Sequence, residues 1–196
     1  LSGRTFGAAV LDSHPNIQVR LFNPFHRGSN RTLQLVTRFG SVTRRMHNKS
    51  FTVDNQVAIV GGRNIGDAYF SADEDVNFTD IDVLLIGPVV QQVSESFDRY
   101  WNSELAYPAT ALLGRETSAE ELREQRAHLD RRIAEANESA YMAALQGSDL
   151  AKLRAMSDLA WEWGPAQVVY DSPEKITASR TERQLHLGPK LKPYFE

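Results

Sequence analysis

The sequence has no cysteine. Disulfide staples and thiolate-ligated zinc are therefore excluded. Long apolar runs are also missing, since no stretch reaches the ~18 residues needed to cross a bilayer as a helix. Nor does the first stretch read as a secretory leader, with its basic start and apolar centre. The first residue is Leu1, from which we expect a segment of a longer protein. A strong excess of either charge is lacking too. Twenty-two Lys and Arg face 25 Asp and Glu, a net charge of -3, where a dedicated nucleic-acid binder would be clearly basic. Acidic residues are, however, absent between Ser13 and Val53, a stretch holding Arg20, Arg27, Arg31, Arg38, Arg44, Arg45 and Lys49. Such a stretch is either a solvated face or a surface that steers an anionic substrate or membrane.

With 196 residues, 41% of them hydrophobic, the chain can bury one ordinary core. Short apolar runs bounded by Gly, Pro, Asn and Asp predict strands at 17–22, 47–54, 56–60 and 81–86, with a turn at Asp54-Asn55. Leu33 to Met46 reads as a helix weakened by Gly40. Val90, Val93, Phe97, Trp101 and Leu105 recur at helical spacing and predict a helix over 89–105. Leu122, Leu129, Ile133, Ala136 and Ala140 mark a second, and Leu150, Leu153, Ser157, Ala160 and Trp163 a third. These stripes read as packing surfaces. Val168 to Tyr170 reads as a short extended piece. An α/β block over 1–105 is thus expected to be followed by a mostly helical region over 106–196.

One segment carries chemistry. In a strand, residues two apart share a face, so His47 and Lys49 project together while Asn48 points away. An ammonium offsets phosphate charge, and an imidazole attacks phosphorus or moves a proton near neutral pH. The same letters also suit an exposed strand with two ordinary polar side chains. Downstream, Gly61 and Gly62 end an apolar strand where a ligand can approach the backbone. Asn64 and Asp67 read as a helix cap, with a helix from Ile65 whose first amides would face an anion. A plain turn and cap explains these letters equally well.

Taken together, the residues match the pattern HxK(x)4D(x)6GGxN, with four residues between Lys49 and Asp54 and six between Asp54 and Gly61. This is the signature of the phospholipase D superfamily. Arg45 to Phe51, Val60 to Phe70, His14 to Phe25 and Asp80 to Pro88 resemble the first catalytic half of bacterial cardiolipin synthases, the C type above all. The stretch 106–172 is similar to their connector between halves.

The resemblance implies a phospholipase D-like α/β/α half-domain with a mixed sheet. It implies a phosphatidyltransferase that makes cardiolipin through a phosphohistidine, with no cofactor and no metal. His47 would form or resolve the phosphohistidine, and Lys49, Asn64, Gly61 and Gly62 would hold phosphate. Asp54 belongs to the catalytic signature, yet its odd separation from His47 turns it away on a continuous strand, so an orienting or structural role stays open. Arg63, Asp67 and Asp82 read as local pairing residues.

The expected partners are phosphatidylglycerol and phosphatidylethanolamine, without nucleic acid, on the cytoplasmic face of a bacterial inner membrane. Because no second HxK follows Lys49, the site needs another such half, in the same parent chain or across a homodimer. A nuclease with a dimeric site and a non-catalytic binding fragment are the alternatives.

Overall fold

The computed structural model describes residues 3–24, 46–64, 79–112, 118–147, 159–179 and 181–195. The chain divides into two compact units. The first comprises Leu1–Arg63, Ile81–Arg115 and Gln167–Glu196, and the second Asn64–Asp80 and Glu116–Ala166.

The first unit begins with helix α1, Gly3–Asp12. Strand β1 (Arg20–Phe22) follows, then β2 (Ser50–Val53), β3 (Val57–Gly61) and β4 (Asp82–Ile86). Helix α2, Val89–Trp101, and strand β5, Ala106–Pro108, come next. Strands β2, β3 and β4 form one antiparallel sheet in sequence order, and β1 pairs antiparallel with β5. The α/β class stands. All pairings among the described residues are antiparallel, so the parallel component of a mixed sheet is not found among them.

The β2–β3 connection shows how sequence writes geometry. Asp54 and Asn55 both take positive φ, 50° and 55°, and Gln56 N–H donates to the Val53 carbonyl at 3.0 Å. Two successive left-handed residues match the right-handed twist of a hairpin, and Asp and Asn tolerate that region better than bulkier residues. The Asp54-Asn55 turn is where the sequence put it. The Ser94 hydroxyl, on α2, donates to Asn55 Oδ1 at 2.8 Å and pins the tip.

Alternation along the strands then decides what is buried. Ala58 on β3 is fully buried against Val90 and Val93 of α2, with Val60, Leu85 and Val168 packed around them. Phe51, Val53 and Ile59, on the other face, stay exposed. The helix stripe differs from the expected one. Val90, Val93, Ser96 and Tyr100 are its buried positions, whereas Phe97 is 46% exposed and stacks on Trp101 at 5.5 Å. Both sets follow helical spacing, and only the sheet beneath selects between them.

A second small cluster joins Ala9 of α1 to Ala109, with Ala8 and Val19 beside it. Asp12 ties these pieces together. Its carboxylate accepts from Val19 N–H at 2.7 Å, Thr110 N–H at 3.2 Å and the Thr110 hydroxyl at 2.9 Å. Burial alone would raise its pKa, but these three bonds outweigh it and hold the carboxyl below its ordinary value.

The end of the chain returns to this unit. Its 167–172 stretch is irregular, and short 3-10 turns flank helix α5, Leu187–Leu191. Ile176 is 1% exposed, and Ser172 and Pro173 are also buried.

In the second unit, helix α3 spans Ala119–Asn137 and α4 spans Ala140–Gly147. Ser118 and Glu121 form a reciprocal capping box at the start of α3. Here the packing expectation fails: α3 has no buried residue, and Leu129 and Ile133 are 41% and 50% exposed. The third helical stripe lies mostly outside the described residues, and Ala160 and Trp163, which are described, are not helical. The helices expected over 33–46 and from Ile65 also lie outside the described residues. Among the described residues, no helix is long and apolar enough to cross a membrane.

Candidate active site

The strand expected over 47–54 begins only at Ser50, so His47 and Lys49 sit in the extended lead-in to β2. They still come together. Lys49 Nζ lies 3.0 Å from His47 Nδ1 and 2.9 Å from the His47 carbonyl oxygen, so the lysine folds back over its own chain. An ammonium has no lone pair, so it donates and Nδ1 accepts. A neutral ring in this arrangement carries its hydrogen on Nε2. His47 is exposed and Lys49 half-buried, which leaves the pair open to an incoming anion.

Asn48, between them, is half-buried. Tyr100 on α2 is 4% exposed, and its hydroxyl donates to the Asp171 carbonyl at 2.8 Å. Burial, with help from the nearby Asp171 charge, pushes the phenol far above its ordinary pKa and keeps it neutral.

Gly61 ends β3 opposite Asp82 on β4. A Cβ at Gly61 would fall 1.9 Å from Asp82 Oδ1 and 2.8 Å from the Ile81 carbonyl oxygen. The Asp82 carboxylate and the Ile81 carbonyl fill the space beside Gly61, so the fold itself requires glycine there. Asp82 Oδ2 also pairs with Arg63 Nε at 2.9 Å, as the sequence suggested for these two residues. Gly62 follows in a bend, half-buried. Asn64 is exposed and irregular, and it opens the second unit. Asp67 lies outside the described residues.

Asp54 is placed apart. It occupies the hairpin turn at the opposite end of β2 from Lys49, so its carboxylate is not brought to the imidazole. The odd separation already argued for a position away from His47, and the positive φ is the conformation that the turn uses there. Of the basic stretch, Arg20 lies over the Trp101 ring at 4.8 Å and donates to the Trp101 carbonyl at 2.7 Å. Arg27, Arg31, Arg38, Arg44 and Arg45 lie outside the described residues. Among the described residues, no group of three or more His, Asp or Glu side chains gathers as a metal site.

Sequence reasoning missed Tyr100 and the 171–175 segment. Tyr100 lies seven residues after Val93 and was legible as a stripe position, but nothing local tied it to Asp171.

The family model described as cardiolipin synthase, PLD-like domain, matches residues 12–101. Cardiolipin synthase C of Escherichia coli K12 is 56% identical over 104 residues, 53% of this chain and 22% of that protein. An uncharacterised Helicobacter pylori protein is 43% identical over 105 residues, 53% of this chain and 21% of its own length. A protein of another Helicobacter pylori strain is 42% identical over the same length. No solved structure matches. Residues 12–101 are therefore a phospholipase D-superfamily domain, a class of enzyme domain. Within that class this domain is closely related to that of cardiolipin synthase C. The matched stretch spans about a fifth of the length of these curated relatives.

Proposed function

We propose that this chain supplies one half of a phosphodiester-transferring site that makes cardiolipin, with His47 as the reacting imidazole. The observation that carries this reading is the His47–Lys49 pair at 3.0 Å, exposed, within the matched domain. Residues 1–105 are the catalytic half and 106–196 the connector toward a second half, in the same protein or, as the lesser alternative, across a homodimer.

One imidazole attacks phosphorus, and the P–O bond to the leaving alcohol breaks as the P–N bond forms. The opposing imidazole gives that alcohol its proton. It then takes a proton from the incoming lipid alcohol, whose oxygen displaces the nitrogen and restores His47. A single ring cannot serve both faces of phosphorus, which is why a second half is needed. With Nδ1 accepting from Lys49, a neutral His47 carries its hydrogen on Nε2. Attack through Nε2 requires the other tautomer: once a phosphate oxygen draws the Lys49 ammonium off Nδ1, one water takes the proton from Nε2 and another supplies one to Nδ1. Lys49 and Asn64 then carry the developing charge on the non-bridging oxygens. Gly61 and Gly62 shape the backbone before Asn64. Asp54 forms the turn. The substrates are phosphatidylglycerol and phosphatidylethanolamine, met at the cytoplasmic face of the inner membrane by peripheral association.

The test incubates the intact protein with phosphatidylglycerol vesicles, with and without phosphatidylethanolamine, and identifies products by mass spectrometry. Folded His47→Asn protein should lose cardiolipin formation by about 10³-fold or more, the scale of a lost essential nucleophile. Wild-type rates in that variant would overturn the assignment. Cleavage of DNA in place of lipid transfer would replace the substrate while keeping the chemistry. Residues 1–196 alone should make no cardiolipin.

A further inference from the structure

The chain leaves the first unit just after the glycine pair. It departs beyond Arg63, runs through 64–80 in the second unit and re-enters at Ile81. The last cross-strand row before this departure joins Gly61 on β3 to Asp82 on β4. One row earlier, Val60 pairs with Ser50, the residue that follows Lys49. The exit therefore lies at the end of the sheet where the His47–Lys49 lead-in enters.

Asp82 carries the tie past the end of that ladder. Its Oδ1 stands where a Cβ at Gly61 would be, so the carboxylate lies over the glycine. Its Oδ2 reaches Arg63 Nε at 2.9 Å. One side chain thus joins the outgoing foot of the 64–80 stretch to the incoming one. Gly62 lies between the last paired residue and Arg63, and glycine gives a backbone its widest choice of direction. Every residue adds two soft dihedrals, so a chain tied only at Gly61 could leave β3 along many paths. The bond to Arg63 selects one.

We infer that Asp82 is a positioning residue for the turn that presents Asn64: its ion pair with Arg63 sets where Asn64 stands beyond the end of β3. The side chains of Arg63 and Asp82 are 36% and 32% exposed, and an ion pair this open to water adds little to stability. What it supplies is direction. With the pair broken, rotation at Gly62 carries Asn64 away from the phosphate oxygens assigned to it. Misplacement of reacting groups by about 1 Å can cost about 10²-fold in rate. Asp82 acts through Arg63 and the turn, and does not itself meet the substrate. The consequence for rate rests on the proposed role of Asn64 at phosphate; the tie between the strands does not.

The intact protein carries the test in two readouts. The first is geometric, amide hydrogen exchange over 61–64 followed by mass spectrometry. Asp82→Asn keeps a side chain of the same size over Gly61 and removes its charge, and Arg63→Gln removes the opposite charge. Each should speed exchange over 61–64 severalfold and leave 57–60 as in wild type. Exchange over 61–64 that matches wild type in a folded variant overturns the inference. Should Asp82→Asn not fold, Arg63→Gln carries the test, since it leaves the Asp82 carboxylate over Gly61.

The second readout is cardiolipin formation from phosphatidylglycerol vesicles. Each variant should lower kcat about tenfold, within the loss that misplacement brings, while its melting temperature stays near that of wild type. The double variant should lose no more than either single one, because both changes break the same pair. In an Asn64→Ala background, Asp82→Asn should cost nothing further, a non-additivity that a merely structural role would not produce. A full further loss there, or wild-type kcat in folded Asp82→Asn protein, overturns the inference. Wild-type protein that makes no cardiolipin, while both variants still loosen 61–64, would sink the functional reading and leave Asp82 as the residue that holds the turn.

Discussion

Helices α2 and α3 look alike as sequence and differ as structure. Each carries apolar residues at three- and four-residue spacing. Helix α2 buries Val90, Val93, Ser96 and Tyr100 against a sheet and the returning end of the chain. Helix α3 has no buried residue and carries at its start a capping box at Ser118 and Glu121, with Glu120 and Glu121 in the first turn, where negative charge suits the helix dipole. An amphipathic period says that a face is available, and a partner decides whether it is used. Long-range packing thus buries one face of α2, and local bonds cap the start of α3.

That contrast can be attacked at four points, taken from the largest expected effect to the smallest. Gly61→Ala forces a Cβ into the Asp82 carboxylate and the Ile81 carbonyl. It should destabilise the first unit by about 3 kcal/mol, as overpacking against backbone does. Denaturant unfolding followed by Trp fluorescence would show the shift. An unchanged midpoint would mean that β3 and β4 do not meet as described.

Next comes a paired comparison. Val90→Ala removes fully buried methyl groups and should cost about 2 kcal/mol. Leu129→Ala removes half-exposed ones and should stay within about 0.5 kcal/mol. Equal losses in thermal melts would erase the distinction between the two helices.

Asp12 offers a pH-dependent test. Its folded pKa lies below the ordinary 3.8, so its stabilisation is fully present above that value. It is lost as pH falls through the folded value, when the carboxylate protonates. Asp12→Asn should lower stability at pH 7 by about 1 kcal/mol. Its melting temperature should also fall less than that of wild type as pH drops below about 4, the range where a carboxyl titrates. Parallel acid profiles for the two proteins would refute the Asp12 anchor.

The most local effect belongs to the start of α3. Ser118→Ala removes the cap and should cost about 1 kcal/mol locally, read as faster amide exchange over 119–124. A change felt in the exchange of β3 as well would show that the two units unfold together.

Much of this protein was written locally. The hairpin turn needed only Asp54 and Asn55, because the residues that tolerate positive φ sat between two apolar runs. The spacing of His47, Lys49, Gly61 and Asn64 named the superfamily, because chemistry at a phosphate restricts which groups can stand where. Strand limits were less legible: β2 starts three residues later than expected, since pairing with β3 runs from Ser50↔Val60 to Val53↔Val57 and no residue before it has a partner across.

Other features were decided only by tertiary structure. Whether Phe97 or Tyr100 faces inward depended on the sheet under α2, and Leu129, on a helix of similar period, stays 41% exposed. At Gly61 the fold adds a demand of its own, with the Asp82 carboxylate and the Ile81 carbonyl where a Cβ would stand. The bond from the Tyr100 hydroxyl to the Asp171 carbonyl spans 71 residues, a distance at which no local pattern can specify a hydrogen bond. A periodic sequence fixes which residues share a face, because the backbone repeat is set by sterics. Which faces meet is fixed by the burial and hydrogen bonding of the whole, and the support of the candidate active site depends on that.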